Sequence, residues 1–144
     1  MNVTLSHSLQ EEIVSQMQDC FPNEGGGFLL GEIDDDNITI REIVQIENSF
    51  EAEEQYHRYA MTPQNWVKME DTAEEKGLTL VGYYHSHPSS PAIPSKYDRD
   101  HALPNFIYII TAVYTGPKCL EQRVWRLRED RSQFDEEELI VEHD

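Results

Sequence analysis

An apolar strand that runs into His-x-His-Pro, with seven residues between the second histidine and a helix start, constrains this chain more than any other feature. Leu78-Thr79-Leu80-Val81 leads into Gly82-Tyr83-Tyr84-His85-Ser86-His87-Pro88, and a proline-rich loop then leads into Ser95-Lys96-Tyr97-Asp98. Side chains i and i+2 of a strand point to the same face, so His85 and His87 project together. Pro88 ends the strand, and the loop through Pro94 is too rich in proline to pair regularly. Ser95-x-x-Asp98 has capping-box-like spacing, which places Asp98 in the first turn of a helix, close to the strand end. Two imidazoles and a carboxylate are zinc-ligand types. Three protein ligands leave a fourth tetrahedral position open, as at a catalytic rather than a closed structural zinc.

His85-x-His87, seven residues, Ser95, two residues and Asp98 together resemble the signature of the JAMM (MPN-plus) metallopeptidases. That family also has an upstream Glu before a glycine-rich strand ending in Leu-x-Gly, and here Glu24-Gly25-Gly26-Gly27-Phe28-Leu29-Leu30-Gly31 is similar to it. Met61-Thr62-Pro63 is a further partial match, and the resemblance extends roughly from Glu24 to Val113. One departure is Gly26, where many members carry Cys, a position with no ligand role. The resemblance implies the family's α/β fold: a curved mixed sheet flanked by helices, similar in layout to the cytidine-deaminase architecture. No deaminase signature accompanies it, because Pro-Cys-x-x-Cys is absent.

By the same resemblance, one catalytic Zn2+ is held by His85, His87 and Asp98, with water completing the tetrahedron and acting as the nucleophile. Glu24 matches the general base that takes the proton from this water and later passes it to the leaving amine. Ser95 matches the residue that helps to stabilise the tetrahedral oxyanion, a role compatible with capping the helix. The implied activity is a zinc-dependent metalloprotease or isopeptidase. Its bond is an amide at the C-terminal tail of a ubiquitin-like or sulfur-carrier protein, a tail that could add to a sheet edge beside the zinc. The short interval from Asp98 to Phe106 leaves little room for the insertions of larger relatives, so a minimal, stand-alone, prokaryotic-type member is expected. The alternative is a non-catalytic MPN-type interaction scaffold. Such relatives have typically lost ligands, whereas Glu24, His85, His87, Ser95 and Asp98 are all present.

At 144 residues without repeats or linkers, residues 1–144 read as a single domain. The net charge of −17 argues against a nucleic-acid partner, whose backbone it would repel. It fits a basic partner drawn in by the field, a host with high internal salt (only four of the basic residues are Lys), or plain solubility. No run reaches membrane-span length, and residues 1–10 lack a secretory pattern. With Cys20 and Cys119 as the whole cysteine complement, the expected compartment is the reducing cytoplasm.

Leu9, Ile13, Met17 and Cys20 at helical spacing predict a helix from Ser6 to Cys20, capped by Ser6 or Ser8. Gly27–Ile33 and Ile38–Ile46 read as a hairpin around an acidic turn. A loop is expected over Asn48–Gln55 and a short strand over Tyr56–Met61. Thr62-Pro63 reads as N-cap and first residue of a helix to about Lys76, with Trp66, Met69 and Ala73 inward and Gly77 as its stop. A short helix is expected from Ser95 to about Leu103, a buried central strand over Phe106–Val113, and another strand over Leu120–Leu127. Phe134–Val141 fits either an edge strand or a C-terminal helix. His101, one turn beyond Asp98, reads either as a support behind the metal ligands or, the favoured reading, as a solvent-exposed side chain, and His7, His57 and His143 read as surface residues. Ser86, between the ligands, points to the opposite face, away from a nucleophilic role.

Overall fold

The computed structural model describes residues 1–46, 63–116 and 118–144. Its elements are β1 (Asn2–Ser6), α1 (His7–Cys20), β2 (Gly26–Asp34), β3 (Asn37–Ile46), α2 (Pro63–Glu75), β4 (Thr79–Pro88), α3 (Lys96–His101), β5 (Ile107–Tyr114), β6 (Lys118–Leu127) and β7 (Phe134–Glu142). The expectations over Asn48–Gln55 and Tyr56–Met61, the N-cap at Thr62, and His57 lie outside the described residues.

The strands form a mixed sheet in the order β1-β3-β2-β4-β5-β6-β7, closed on itself by parallel pairing of β1 with β7. The expected curved sheet with flanking helices is therefore present, and it is curved to closure. β1 escaped the sequence reading because five residues with only Val3 and Leu5 buried make too short an alternation to stand out. Its discovery also settles β7, which pairs with β6 on one side and β1 on the other and so is not an edge strand.

One face of the sheet packs on α1, where Ile13 and Met17 meet Leu29, Tyr84, Ile109 and Val124. Ser6 caps α1 by accepting from the Leu9 amide at 3.1 Å, an interaction whose loss costs about 1 kcal/mol. The other face packs on α2, where Trp66, Met69 and Ala73 cover Phe28, Leu30, Leu80 and Tyr83. Phe28 meets Trp66 and Tyr83 edge-on, with ring centroids 5.0 and 4.9 Å away. α2 stops at Gly77, whose φ of +72° suits a residue without Cβ just past a helix end. α3 ends at His101, with Ala102 as its C-cap, two residues earlier than the sequence pattern suggests.

β4 lies in the middle of the sheet. His85 is opposite Gly26 of β2 in antiparallel register and opposite Ile110 of β5 in parallel register. This strand is paired with β5 from Gly82 to Pro88 and with β2 as far as His85. The parallel β4–β5 pair requires a crossover, and that crossover is the loop and helix carrying Ser95 and Asp98.

Candidate metal centre

His85, His87 and Asp98 converge as a buried group, exposed by only 1, 6 and 3%. One ligand atom from each lies within 4.8 Å of the others. His85 Nε2 is 3.2 Å from Asp98 Oδ1, and His87 Nε2 is 3.0 Å from Asp98 Oδ2. Strand periodicity gives the two imidazoles their common face, with ring centroids 5.1 Å apart. The capping box fixes Asp98. Its amide donates to Ser95 Oγ at 3.1 Å, and its Oδ2 accepts from the Ser95 amide at 2.8 Å.

The loop between strand and helix is pinned at successive residues. His87 Nδ1 lies 2.8 Å from the carbonyl of Pro91. The Ala92 amide donates to Glu121 Oε1 at 3.0 Å, and its carbonyl accepts from the Trp125 indole at 3.0 Å. A carbonyl can only accept, so Nδ1 of His87 carries the proton and Nε2 is left facing the carboxylate. A neutral Nε2 and a carboxylate oxygen 3.0 Å apart would be two acceptors in contact. That arrangement requires a cation between or on them, either a proton or a metal ion. The donor set of two imidazoles and one carboxylate fits zinc.

The electrostatics agree. Burial alone would raise the Asp98 carboxyl, but the adjacent His85 and His87 hold it well below the usual carboxylate range. Burial lowers His85, and Asp98 offsets only part of this. For His87 burial acts in the same direction, yet the bonds to Asp98 and the Pro91 carbonyl prevail and raise it.

Glu24, at the entry to β2, and Ser95 both line a pocket of about 370 Å³ with His87, Pro91, Ile93 and Tyr97. Glu24 Oε2 is buried without a hydrogen-bond partner among the described residues. Burial pushes the Glu24 carboxyl up to about 8, with His87 opposing and Asp98 reinforcing the rise. Ser95 is exposed at the rim, and its oxygen accepts the Asp98 amide, so its proton remains available to the pocket.

Ser86 is the residue that sequence reasoning undervalued. Its Oγ accepts from the Gly25 amide at 3.0 Å, and its own amide donates to the Gly25 carbonyl at 3.1 Å. The signal was in the pleat: a residue between two ligands faces away from them, toward whatever strand or turn supports the site. The Gly26 departure also has a cause. A Cβ there would sit 2.6 Å from the Tyr83 hydroxyl, so the tyrosine fills the space that a side chain at 26 would need. His101 is exposed and stacks on Tyr97 at 4.0 Å, while His7 lies on the surface beside Glu11. No helix among the described residues is long and apolar enough to cross a membrane.

Comparison with known proteins finds a family model, prokaryotic homologs of the JAB domain, matching residues 6–128. A desampylase of Haloferax volcanii is 36% identical over 90 residues, and the match spans 62% of each chain. A protein of Desulfitobacterium hafniense with a solution structure is 26% identical, superposes with a TM-score of 0.82, and aligns over 99% of this chain and 94% of its own. A JAB1/MPN domain protein from Archaeoglobus fulgidus is 19% identical with a TM-score of 0.57, over 96% of this chain and 95% of its own, a likeness of fold alone.

Proposed function

Because this chain belongs to the prokaryotic homologs of the JAB domain, we propose that it is a zinc-dependent isopeptidase acting on the C-terminal tail of a ubiquitin-like or sulfur-carrier protein. The observation that carries this reading is the shared pocket. Glu24, a buried carboxyl brought close to neutral pH, faces the same space as His87 of the three-ligand cluster. Likeness to a desampylase supports removal of a protein modifier as the reaction, and free Cys20 accords with a cytoplasmic setting.

Zinc held by His85, His87 and Asp98 would supply a hydroxide nucleophile at neutral pH and polarise the scissile carbonyl. The Pro91 carbonyl keeps His87 in the tautomer whose Nε2 can bind metal. Glu24 would accept the proton of the attacking water and deliver it to the leaving amine, and a metal cation in the adjoining cluster would favour the carboxylate form that the first transfer needs. Ser95 points its hydroxyl proton at the developing oxyanion, from a position its own capping bonds hold rigid. Ser90, Ile93 and Tyr97 complete the lining of this open pocket.

The test is hydrolysis of a ubiquitin-like protein ending in Gly-Gly and joined by an amide to a lysine or a small amine. The zinc-loaded chain should cleave it, a chelator should stop cleavage, and added zinc should restore it. Zinc binding with no cleavage of any such conjugate would favour the scaffold alternative instead.

A further inference from the structure

A second pocket, of about 390 Å³, adjoins the first. Ile93 and Ser95 line both, so the two share a rim. Their chemistry differs. The second is bounded by Lys96 and Arg99 of α3, by Trp125 of β6 and by residues 132–134, with no carboxylate among the lining residues. Lys96 and Arg99 are three positions apart and share a helix face.

In a chain with 28 acids and 11 Lys and Arg, a cation should find an acid easily. Arg41, Lys76, Arg123, Arg126 and Arg128 do so, whereas Lys68 and Arg131 form no ion pair among the described residues. Lys96 and Arg99 form no ion pair among the described residues, although they occupy one pocket. The walls are also tied together. Arg131 donates to the carbonyls of Arg99 at 2.9 Å and Ala102 at 2.7 Å, joining α3 to the turn before β7. Trp125 is fixed on the metal loop by its bond to Ala92, and Arg123 stacked over its ring at 4.9 Å is already neutralised by Glu136.

We propose that this pocket is an anion subsite, in which Lys96 and Arg99 bind a carboxylate that the substrate carries beside its scissile amide. The inference rests on the isopeptidase reading and names a feature of the substrate. A phosphate backbone is a poor occupant, because the surrounding charge of −17 would repel a polyanion, whereas a single carboxylate meets only the local field. Trp125 and Ile93 offer apolar surface to the aliphatic part of the group that bears it. The carboxylate has two possible sources: an acidic side chain of the carrier next to its tail, or the released amine when that is an amino acid or an acidic residue.

The experiment is a binding titration of the zinc-loaded chain, read from the Trp125 indole N–H resonance. The probes are three capped peptides: Glu-Gly-Gly-Gln, Gln-Gly-Gly-Glu and Gln-Gly-Gly-Gln. One acidic peptide should bind roughly three- to tenfold more tightly than the neutral one, the range expected for two solvent-exposed ion pairs. The acidic peptide that wins identifies the source. The preference should vanish in Lys96→Gln/Arg99→Gln and should reverse toward a Lys-containing peptide in Lys96→Glu/Arg99→Glu. Equal affinity for all three peptides, or a preference unchanged in the double variant, overturns the subsite. The readout does not depend on cleavage, so an inactive protein that still discriminates would refute the isopeptidase reading while leaving the subsite standing. Cleavage without discrimination would do the opposite.

Discussion

Ser86 and Gly25 hold each other through two hydrogen bonds, Gly25 N–H to Ser86 Oγ at 3.0 Å and Ser86 N–H to the Gly25 carbonyl at 3.1 Å. The first residue stands between His85 and His87, and the second follows Glu24. The clamp therefore sets the carboxyl against the metal strand, and the pleat that sends His85 and His87 into the site sends Ser86 to its support.

Ser86→Ala should separate those two parts. The buried Gly25 amide loses its acceptor, which costs about 1–3 kcal/mol of stability. Glu24 loses half of its backbone anchor, so kcat should fall about tenfold or more while KM and zinc content change little. Ser86→Thr keeps the hydroxyl and should restore kcat. Full kcat in Ser86→Ala, assayed at a temperature where it is wholly folded, would reduce the clamp to a stabilising contact.

His87→Ala should abolish zinc binding at stoichiometric concentration, because two ligands no longer define the site and Asp98 loses a charge partner. Elemental analysis after gel filtration is the direct check. One zinc per chain retained in this variant would rule out His87 as a ligand.

Glu24 stores a conflict between stability and function. Its folded-state carboxyl is raised from 4.5 to about 8, so between those pH values the folded chain holds a proton that the unfolded chain has released. Stability of the metal-free protein should therefore fall as pH rises from about 4.5 to about 8. Glu24→Gln removes the buried charge, and should raise the stability of metal-free protein at pH 8 by roughly 1–3 kcal/mol, with little gain near pH 4.5. The same variant should keep its zinc and lose roughly 10²–10⁴-fold in turnover, since an amide cannot take the proton. Thermal melts at the two pH values, beside zinc content and turnover, test both halves. A variant no more stable than the parent at pH 8 would mean that Glu24 is adequately solvated.

The site was legible because its parts are local. His85 and His87 are two residues apart on one strand, and Asp98 is three residues from the Ser95 that caps its helix, so two short-range periodicities place all three side chains of the cluster. Glu24 was legible only through the glycine segment that follows it, because nothing local to residue 24 says that β2 will pair with β4. Closure of the sheet was not legible at all. It depends on β1 and β7, residues 2–6 against 138–142, a parallel pairing between the two ends of the described chain for which neither segment carries a strong pattern. The pocket of Lys96 and Arg99 was hidden for the same reason, since Trp125 and Gln133 reach it from β6 and the turn beyond.

The surface charge gives a prediction in which two readings oppose each other. Exposed acids gather on the β2–β3 turn at Glu32, Asp34, Asp35 and Asp36, and along α2 at Glu70, Asp71, Glu74 and Glu75. If this field draws in a basic partner, kcat/KM should fall as salt rises, because screening shortens the field to about 8 Å at physiological ionic strength. The loss should lie in association, with kcat preserved. If the acids instead suit a salt-rich interior, their mutual repulsion dominates at low salt, and both melting temperature and activity should climb toward molar salt. Measuring kcat/KM and melting temperature across that range distinguishes the two by sign. A response flat in both quantities would contradict steering and salt adaptation alike, leaving solubility as the reason for a net charge of −17.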